Sequence, residues 1–525
     1  MDLLAALQSC FFQILICLGL SLALITVYRQ HRGIFPTIND RKAFEFSDER
    51  AKRNFVINGR RLLREGLAKY GGKPFRILTD SGYTVILSPA FAQETRNLSD
   101  VSHVKAIAKM VNAQYPGMEA FREFAFRDDL IQDVVRLKLT QMLGMLPISK
   151  DVRFLAINLE LGSVTLPLSE ETSFTLRETF TDNLEWHAIV PHKTLLGAVA
   201  RVSSRLFLGD RLCRDAEWLE IITTYTTYVT TAVKQYNQYP ALIRPFIGRF
   251  LPSVRELLRQ VQKADKLMGV VLREREALEA AGKKPDYMDA IEWFKQTAKG
   301  RKYNPVYVQL TLSFVAIHTT ADLITQVMFD LALNPEYIEP LREEVLQVLK
   351  TQGWKKTSLY NMKFLDSVLK ETQRLRPIND TSMQRIALKD VTLSDGTVLK
   401  KNTIFAVAST CHWDSKYYPD PQKYDGYRFL KMREDPVKGN LAQFVSTSPT
   451  HLGFGHGQHA CPGRFFASNE VKIIMCHILL KYDWRLVGDQ EPRTLIHGFI
   501  LAADHSTKLE IRRRIEEIDL DKIEC

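Results

Sequence analysis

The sequence contains no C-x-x-C pair. Its seven cysteines (Cys10, Cys17, Cys213, Cys411, Cys461, Cys476 and Cys525) are odd in number and far apart, and two of them lie in an apolar N-terminal run. That excludes a disulfide framework and a structural zinc site, and it fits a reducing compartment. There is no zinc-finger spacing, no aromatic RNA-binding motif and no lysine-rich tail. The net charge of +11 therefore does not argue for nucleic acid; an anionic membrane surface or an acidic partner protein remains. Low-complexity tracts and internal repeats are also missing, which sets aside linkers and solenoids. With 45% apolar and 25% charged residues the composition is that of an ordinary globular protein. The 525 residues exceed the usual single-core size, although large enzymes do run this long as one unit.

What is present begins with hydrophobicity. Residues 3–27 are apolar apart from Gln8, Ser9, Gln13, Ser21 and Thr26, and about 20 apolar residues cross a bilayer as a helix. Asp2 precedes the run, and Arg29, His31 and Arg32 follow it. Trailing positive charge places the remainder on the cytoplasmic side, and a cleaved signal peptide has the opposite charge order. The expectation is a membrane anchor over 1–28, a linker over 29–45 and one globular unit over 46–525. With that orientation, the triplets Asn97-Leu98-Ser99 and Asn379-Asp380-Thr381 never meet the glycosylation machinery.

Periodicity then sets the elements. Residues 77–87 (ILTDSGYTVIL) read as two short strands around a Ser-Gly turn. Helical spacing recurs over 129–143, 216–235 and 253–281, the last stopped by Gly282. The stretch 283–303 is polar and reads in part as loop. Pro305 opens a long apolar run that ends near Asn334-Pro335; about 28 residues at 1.5 Å each make a helix of about 40 Å. Amphipathic helices follow over 337–350 and 361–375. A hairpin is signalled by Asp-Gly within 392–398, and a last helix is expected from about 462 to 482. The picture is mainly α with small β-sheets.

One short stretch carries the chemistry: FGHGQHACPGRFF, residues 454–466. Three glycines around one cysteine suggest a large flat object pressed against the main chain, an object that takes one sulfur ligand. The spacing Phe454-x-x-Gly457-x-x-x-Cys461-x-Gly463 resembles the haem-binding loop of the cytochrome P450 family. A thiolate donates strongly to haem iron, and loop and helix amides stabilise its charge. The resemblance makes Cys461 the metal ligand, with Phe454 covering the sulfur side, Gly457 turning the loop and Gly463 admitting the next helix. His459 and Arg464 are cations suited to a haem propionate or to the loop itself.

Other matches stand in the family's order. Glu371-x-x-Arg374 resembles the family's helix motif, whose pair joins a later arginine, here Arg428 in YDGYRF; the three form a buried structural triad. Arg385 follows where the family's chain turns back toward the haem, and Arg136 matches the arginine of a W-x-x-x-R motif whose tryptophan is here Gln132. On the long helix, Ala316-Ile317-His318-Thr319-Thr320 resembles (A/G)-G-x-(D/E)-T. Ala316 and Thr320 match. Ile317 replaces glycine and Thr319 replaces the acid, which puts the usual proton path in doubt, with His318 or water as substitutes. Thr320 would face the oxygen side and relay protons.

The resemblance implies a cytochrome P450 fold behind a transmembrane helix, haem b with an axial thiolate, and NADPH electrons delivered by a cytochrome P450 reductase. It implies oxidation of a small apolar substrate at the endoplasmic reticulum membrane, on the cytoplasmic side. The runs AIHTT, NPEYIEPLREEV and HACPGRFFASNE resemble fungal microsomal members of secondary metabolism, of the ent-kaurene oxidase type. A terpenoid intermediate is the expected substrate, with a polyketide–amino-acid hybrid (tetramic acid or pyridone) as the alternative. The missing acid at Thr319 also admits a haem-thiolate isomerase that needs no reductase.

Overall fold

The computed structural model describes residues 34–523 apart from 43–44, 46, 127–128, 140–163 and 284–286. The expected anchor over 1–28 lies outside the described residues, as does part of the linker.

The long apolar run forms the helix Pro305–Leu333. Asn304 caps it, its side chain accepting from the N–H groups of Val306 at 2.9 Å and Tyr307 at 3.2 Å, and Pro305 sits in the first turn, where no N–H is needed. At the far end Asn334 donates to the Asp330 carbonyl at 2.8 Å. Ile317, Ala321, Ile324, Val327, Met328 and Leu331 are fully buried. A helix apolar on all sides belongs in a core. Against it pack the helices Glu119–Phe126, Pro191–Leu208, Ala216–Asn237, Lys363–Leu375 and Arg464–Lys481. Among the described residues it is the one helix long and apolar enough to cross a membrane, but it is mostly buried within the protein.

Beside this helical body lies a five-stranded sheet. Phe75–Thr79 and Gly82–Leu87 form the expected hairpin around Asp80 and Ser81. Gly82–Leu87 pairs in parallel with Ile404–Ala408, which pairs antiparallel with Thr381–Ala387, and the short strand Val101–Ser102 closes the edge. Three smaller sheets complete the β-structure. His187–Ile189 and Tyr482–Leu486 flank Leu509–Arg513, Leu495–His497 pairs with Ile500–Ala502, and Val391–Thr392 pairs with Val398–Leu399 around the Asp-Gly turn.

One expectation is corrected and one is refined. The helix read over 129–143 is a short α-turn, Leu130–Asp133, running into a wider π-turn, Val134–Leu139, with residues from 140 outside the described set. The stretch 283–303, read in part as loop, also contains the helix Ala290–Ala298, capped by Asp289, which buries Ile291, Trp293 and Phe294. Its charged and amide side chains lie on the other face and mask the apolar one.

Candidate active site

The cysteine loop is shaped by its own backbone and by a clamp from far away in the chain. Cys461 N–H donates to the Phe454 carbonyl at 2.8 Å and Ala460 N–H to Gly457 at 3.0 Å. Gly455 and Gly457 hold φ of 73° and 80°, the region that L side chains avoid. A Cβ on Gly457 would also lie 2.3 Å from the Arg96 carbonyl oxygen. The sequence reading assigned Gly457 to the turn beneath a ring; the structure adds a close backbone neighbour. Gln458 completes this contact, its N–H donating to Asn97 Oδ1 and its amide to the Leu98 carbonyl, both at 3.1 Å. Gly463 is different. Its φ is ordinary and a Cβ there would touch only Val135, at 3.9 Å, so the space beside it is not filled by protein.

Cys461 is accessible at its surface, yet the protein around it desolvates the thiol and pushes its pKa up. The Gly463 N–H, the Arg464 charge and the Arg464 N–H oppose that shift in descending order. Two backbone donors and the start of the helix Arg464–Lys481 thus point at a single sulfur, a donor set for one thiolate ligand. Arg464 Nη1 donates to the Cys461 carbonyl at 2.9 Å, so Arg464 serves the loop itself. Phe454 is half-buried and meets Phe444 edge-on, centroids 5.1 Å apart.

Around the loop lies a cluster of cations. Arg385 is buried and donates to the carbonyls of Thr95 and, at 3.3 Å, His456. Its Nε is buried without a partner, and among the described residues no carboxylate pairs with it. Burial pushes this guanidinium down to about 10. His459 is pushed down to about 4, first by burial and then by Arg385, His103 and Arg136. Arg136 donates to the Gln458 carbonyl at 3.0 Å. One turn before Arg136, both amide atoms of buried Gln132 lack a partner among the described residues. A buried guanidinium without an acid and an orphaned buried amide are costly unless a polar or anionic group joins them. They would suit the carboxylates of a haem held at this loop.

Glu371, Arg374 and Arg428 are brought together. Glu371 and Arg374 are wholly buried. Arg374 donates to both carboxylate oxygens at 2.7 and 2.8 Å, Arg428 Nε to both at 3.1 Å, and Asp425 N–H to one at 3.1 Å. The remaining guanidinium donors reach the carbonyls of His412, Pro421 and Pro419. The group ties the helix Lys363–Leu375 to the coil before the cysteine loop. On the same helix Asp366, which the sequence reading missed, accepts from Phe444 N–H at 2.8 Å and pairs with Arg433 and Lys472. A lone acid on the apolar face of an amphipathic helix was the available signal.

On the long helix Thr320 is buried and Ala316 partly so. Val315, in the middle of this core helix, is 48% exposed, although Ile317 and Ala321 close to it are fully buried. Phe314 meets Phe121 edge-on nearby, centroids 4.8 Å apart. Thr319 donates back to the Val315 and Ala316 carbonyls at 3.0 and 3.2 Å. His318 turns toward the backbone of Thr223 instead, and its Nε2 is buried without a partner.

The comparisons with known proteins agree with this geometry. Residues 163–510 match the family model described as Cytochrome P450. The chain is 44% identical over 489 residues to "Cytochrome P450 monooxygenase hepE" of Aspergillus oryzae, covering 92% of this chain and 86% of that protein. It is 44% identical over 454 residues to a cytochrome P450 monooxygenase of Gibberella fujikuroi, covering 85% of this chain and 99% of that one. A retinoic-acid-bound cyanobacterial CYP120A1 superposes over 92% of this chain with a TM-score of 0.65 at 16% identity, a likeness of fold. The chain belongs to the cytochrome P450 family, as an oxidoreductase of its monooxygenase class with a haem-thiolate centre.

Proposed function

We propose that this protein is a fungal haem b monooxygenase that oxidises an apolar secondary-metabolite intermediate, most simply a terpenoid. The observation that carries the reading is the single thiol at the loop, with buried Arg385 nearby lacking an acidic partner among the described residues. Bound haem supplies reductive activation of O2, with electrons from NADPH through a cytochrome P450 reductase. The residues do the rest. Cys461 ligates, with the Gly463 and Arg464 amides holding its charge. Arg385 and Arg136 would neutralise the propionates, and the neutral His459 and Gln132 would donate hydrogen bonds at the same rim. The triad of Glu371, Arg374 and Arg428 braces the side that carries the loop. Val315, Ala316 and Phe314 present an apolar wall that excludes water and orients substrate. Thr320 holds and passes the proton on the oxygen side, the task for which Thr319 offers no acid.

The terpenoid assignment is supported by resemblance to the ent-kaurene oxidase type, and a tetramic acid or pyridone substrate is the other reading of the same pocket. We further place the protein on the endoplasmic reticulum membrane with residues 1–28 as a single-pass anchor and the unit 46–525 on the cytoplasmic side. Net basic charge suits an acidic reductase.

The reduced carbon monoxide complex tests the ligand. The full chain should show the family's red-shifted band with one haem per protein, and Cys461→Ala should abolish it. In microsomes with a reductase, product should require NADPH. Product formed without NADPH would instead identify a haem-thiolate isomerase.

A further inference from the structure

Away from Cys461, three side chains from three separate elements converge. They are His192 at the start of the helix Pro191–Leu208, Asp322 on the long helix, and His505 in the loop after Ile500–Ala502. A ligand-capable atom of each lies within 4.8 Å of the other two. The two imidazoles face each other with centroids 3.7 Å apart. Asp322 is buried, and among the described residues no lysine or arginine pairs with it. A carboxylate so placed calls for a cation.

Its orientation is already fixed. Asp322 Oδ1 accepts from Ala503 N–H at 2.6 Å and Oδ2 from Gln326 Nε2 at 2.5 Å. Each oxygen keeps a second lone pair. The Ala503 bond also anchors the loop two residues before His505. One helical turn before Asp322 stands His318, whose buried Nε2 has no partner among the described residues. None of these groups takes part in the reaction described above.

We infer that His192, Asp322 and His505 form a binding site for a divalent transition-metal ion, zinc above all. Two imidazoles and one carboxylate, with a solvent-facing side at exposed His505, make three protein ligands and an open fourth position. Calcium and magnesium take oxygen ligands and do not suit the pair of imidazoles. The Ala503 and Gln326 donors supply the outer hydrogen bonds that orient a ligating carboxylate. For both rings to reach about 2.0 Å from one ion the stack must splay, and His505, exposed on a loop, is the partner able to move. The ion would join the long helix, the start of a neighbouring helix and the C-terminal loop, so it should stabilise the folded chain.

The test uses the untagged, haem-loaded full chain, in which iron already occupies Cys461. After treatment with chelator it is titrated calorimetrically with zinc chloride, and melting is followed with and without zinc. One ion per haem should bind at micromolar concentration or tighter and raise the melting temperature. His505→Ala, His192→Ala and Asp322→Asn should each weaken binding ~10-fold or more and remove the rise. His505→Ala alters only an exposed side chain, and its carbon monoxide spectrum reports whether the fold is kept. No stoichiometric binding to the full chain overturns the site. So does wild-type affinity in any one of the three variants.

Discussion

Thr319 stands where the family carries an acid, and its hydroxyl donates to the Val315 and Ala316 carbonyls of its own helix. That leaves Thr320 as the hydroxyl proposed for the oxygen side. Because Thr320 is buried and small, Thr320→Ala should keep haem content nearly intact. NADPH should still be consumed, with more of it ending as hydrogen peroxide, and product should fall ~10-fold or more, about 1.4 kcal/mol in the productive barrier. Unchanged coupling would make the threonine a scaffold residue. The triad gives the opposite kind of prediction. Glu371 takes two guanidiniums and a backbone N–H within a dry interior, so removing its charge strands Arg374 and Arg428. Breaking such a buried pair costs about 3–5 kcal/mol. Glu371→Gln should therefore lose haem-loaded protein altogether, measured as the haem-to-protein ratio of the soluble chain; a variant that loads haem as wild type does would show that the triad bears no strain of folding.

At the scale of elements, the contact between helices Pro191–Leu208 and Arg464–Lys481 hides a titration. Ser203 Oγ donates to Glu470 Oε1 at 2.5 Å, while Oε2 is buried with no partner. Burial pushes the Glu470 carboxyl up to about 8, against a partial offset from Ser203. The folded chain thus holds a proton that the unfolded chain releases at an ordinary carboxylate pKa near 4.3. With more protons bound when folded, stability falls as pH rises between those two values. Its contribution is whole below the lower value and lost above the higher. Glu470→Gln keeps the shape without the titration, so its melting temperature should change less between pH 5 and pH 8 than that of wild type, a range chosen to lie across the carboxyl's shifted window; equal slopes would place the pH dependence elsewhere. Neither this contact nor the clamp on the cysteine loop was legible in the sequence. Gln458 and Leu98 are 360 residues apart, and periodicity carries no information at that range. The long helix was legible, because Asn304-Pro305 and Asn334-Pro335 punctuate it. So was the cysteine loop, because its glycines are local. Arg428 was reachable only by resemblance, being 57 residues from Glu371. The helix Ala290–Ala298 was hidden by its polar face.

At the scale of the whole molecule, three large apolar side chains stand exposed on one connection. Between the helices Ala216–Asn237 and Pro252–Ala280, Leu242 is 86% exposed, and Phe246 and Phe250 are each 76% exposed. The connection holds its shape, since Arg244 donates to the Tyr239 carbonyl and to Asn112 Oδ1 at 2.8 and 2.9 Å. Large apolar side chains displayed together on an ordered segment mark an interaction surface. Burying each in the acyl boundary is worth about 1.5–3 kcal/mol, so three together rival a lipid anchor. If this loop enters a membrane, the proposed anchor over 1–28 would be one of two attachments. A chain lacking residues 1–28 should still sediment with phospholipid vesicles, and should do so in high salt, because apolar burial is not screened. Replacing Leu242, Phe246 and Phe250 by serine in that shortened chain should release it to the supernatant, while its carbon monoxide spectrum stays that of the parent. If the shortened parent chain remains wholly in the supernatant, the loop does not contact the membrane and residues 1–28 alone hold the protein there. If the serine variant still sediments, the second attachment lies on another face.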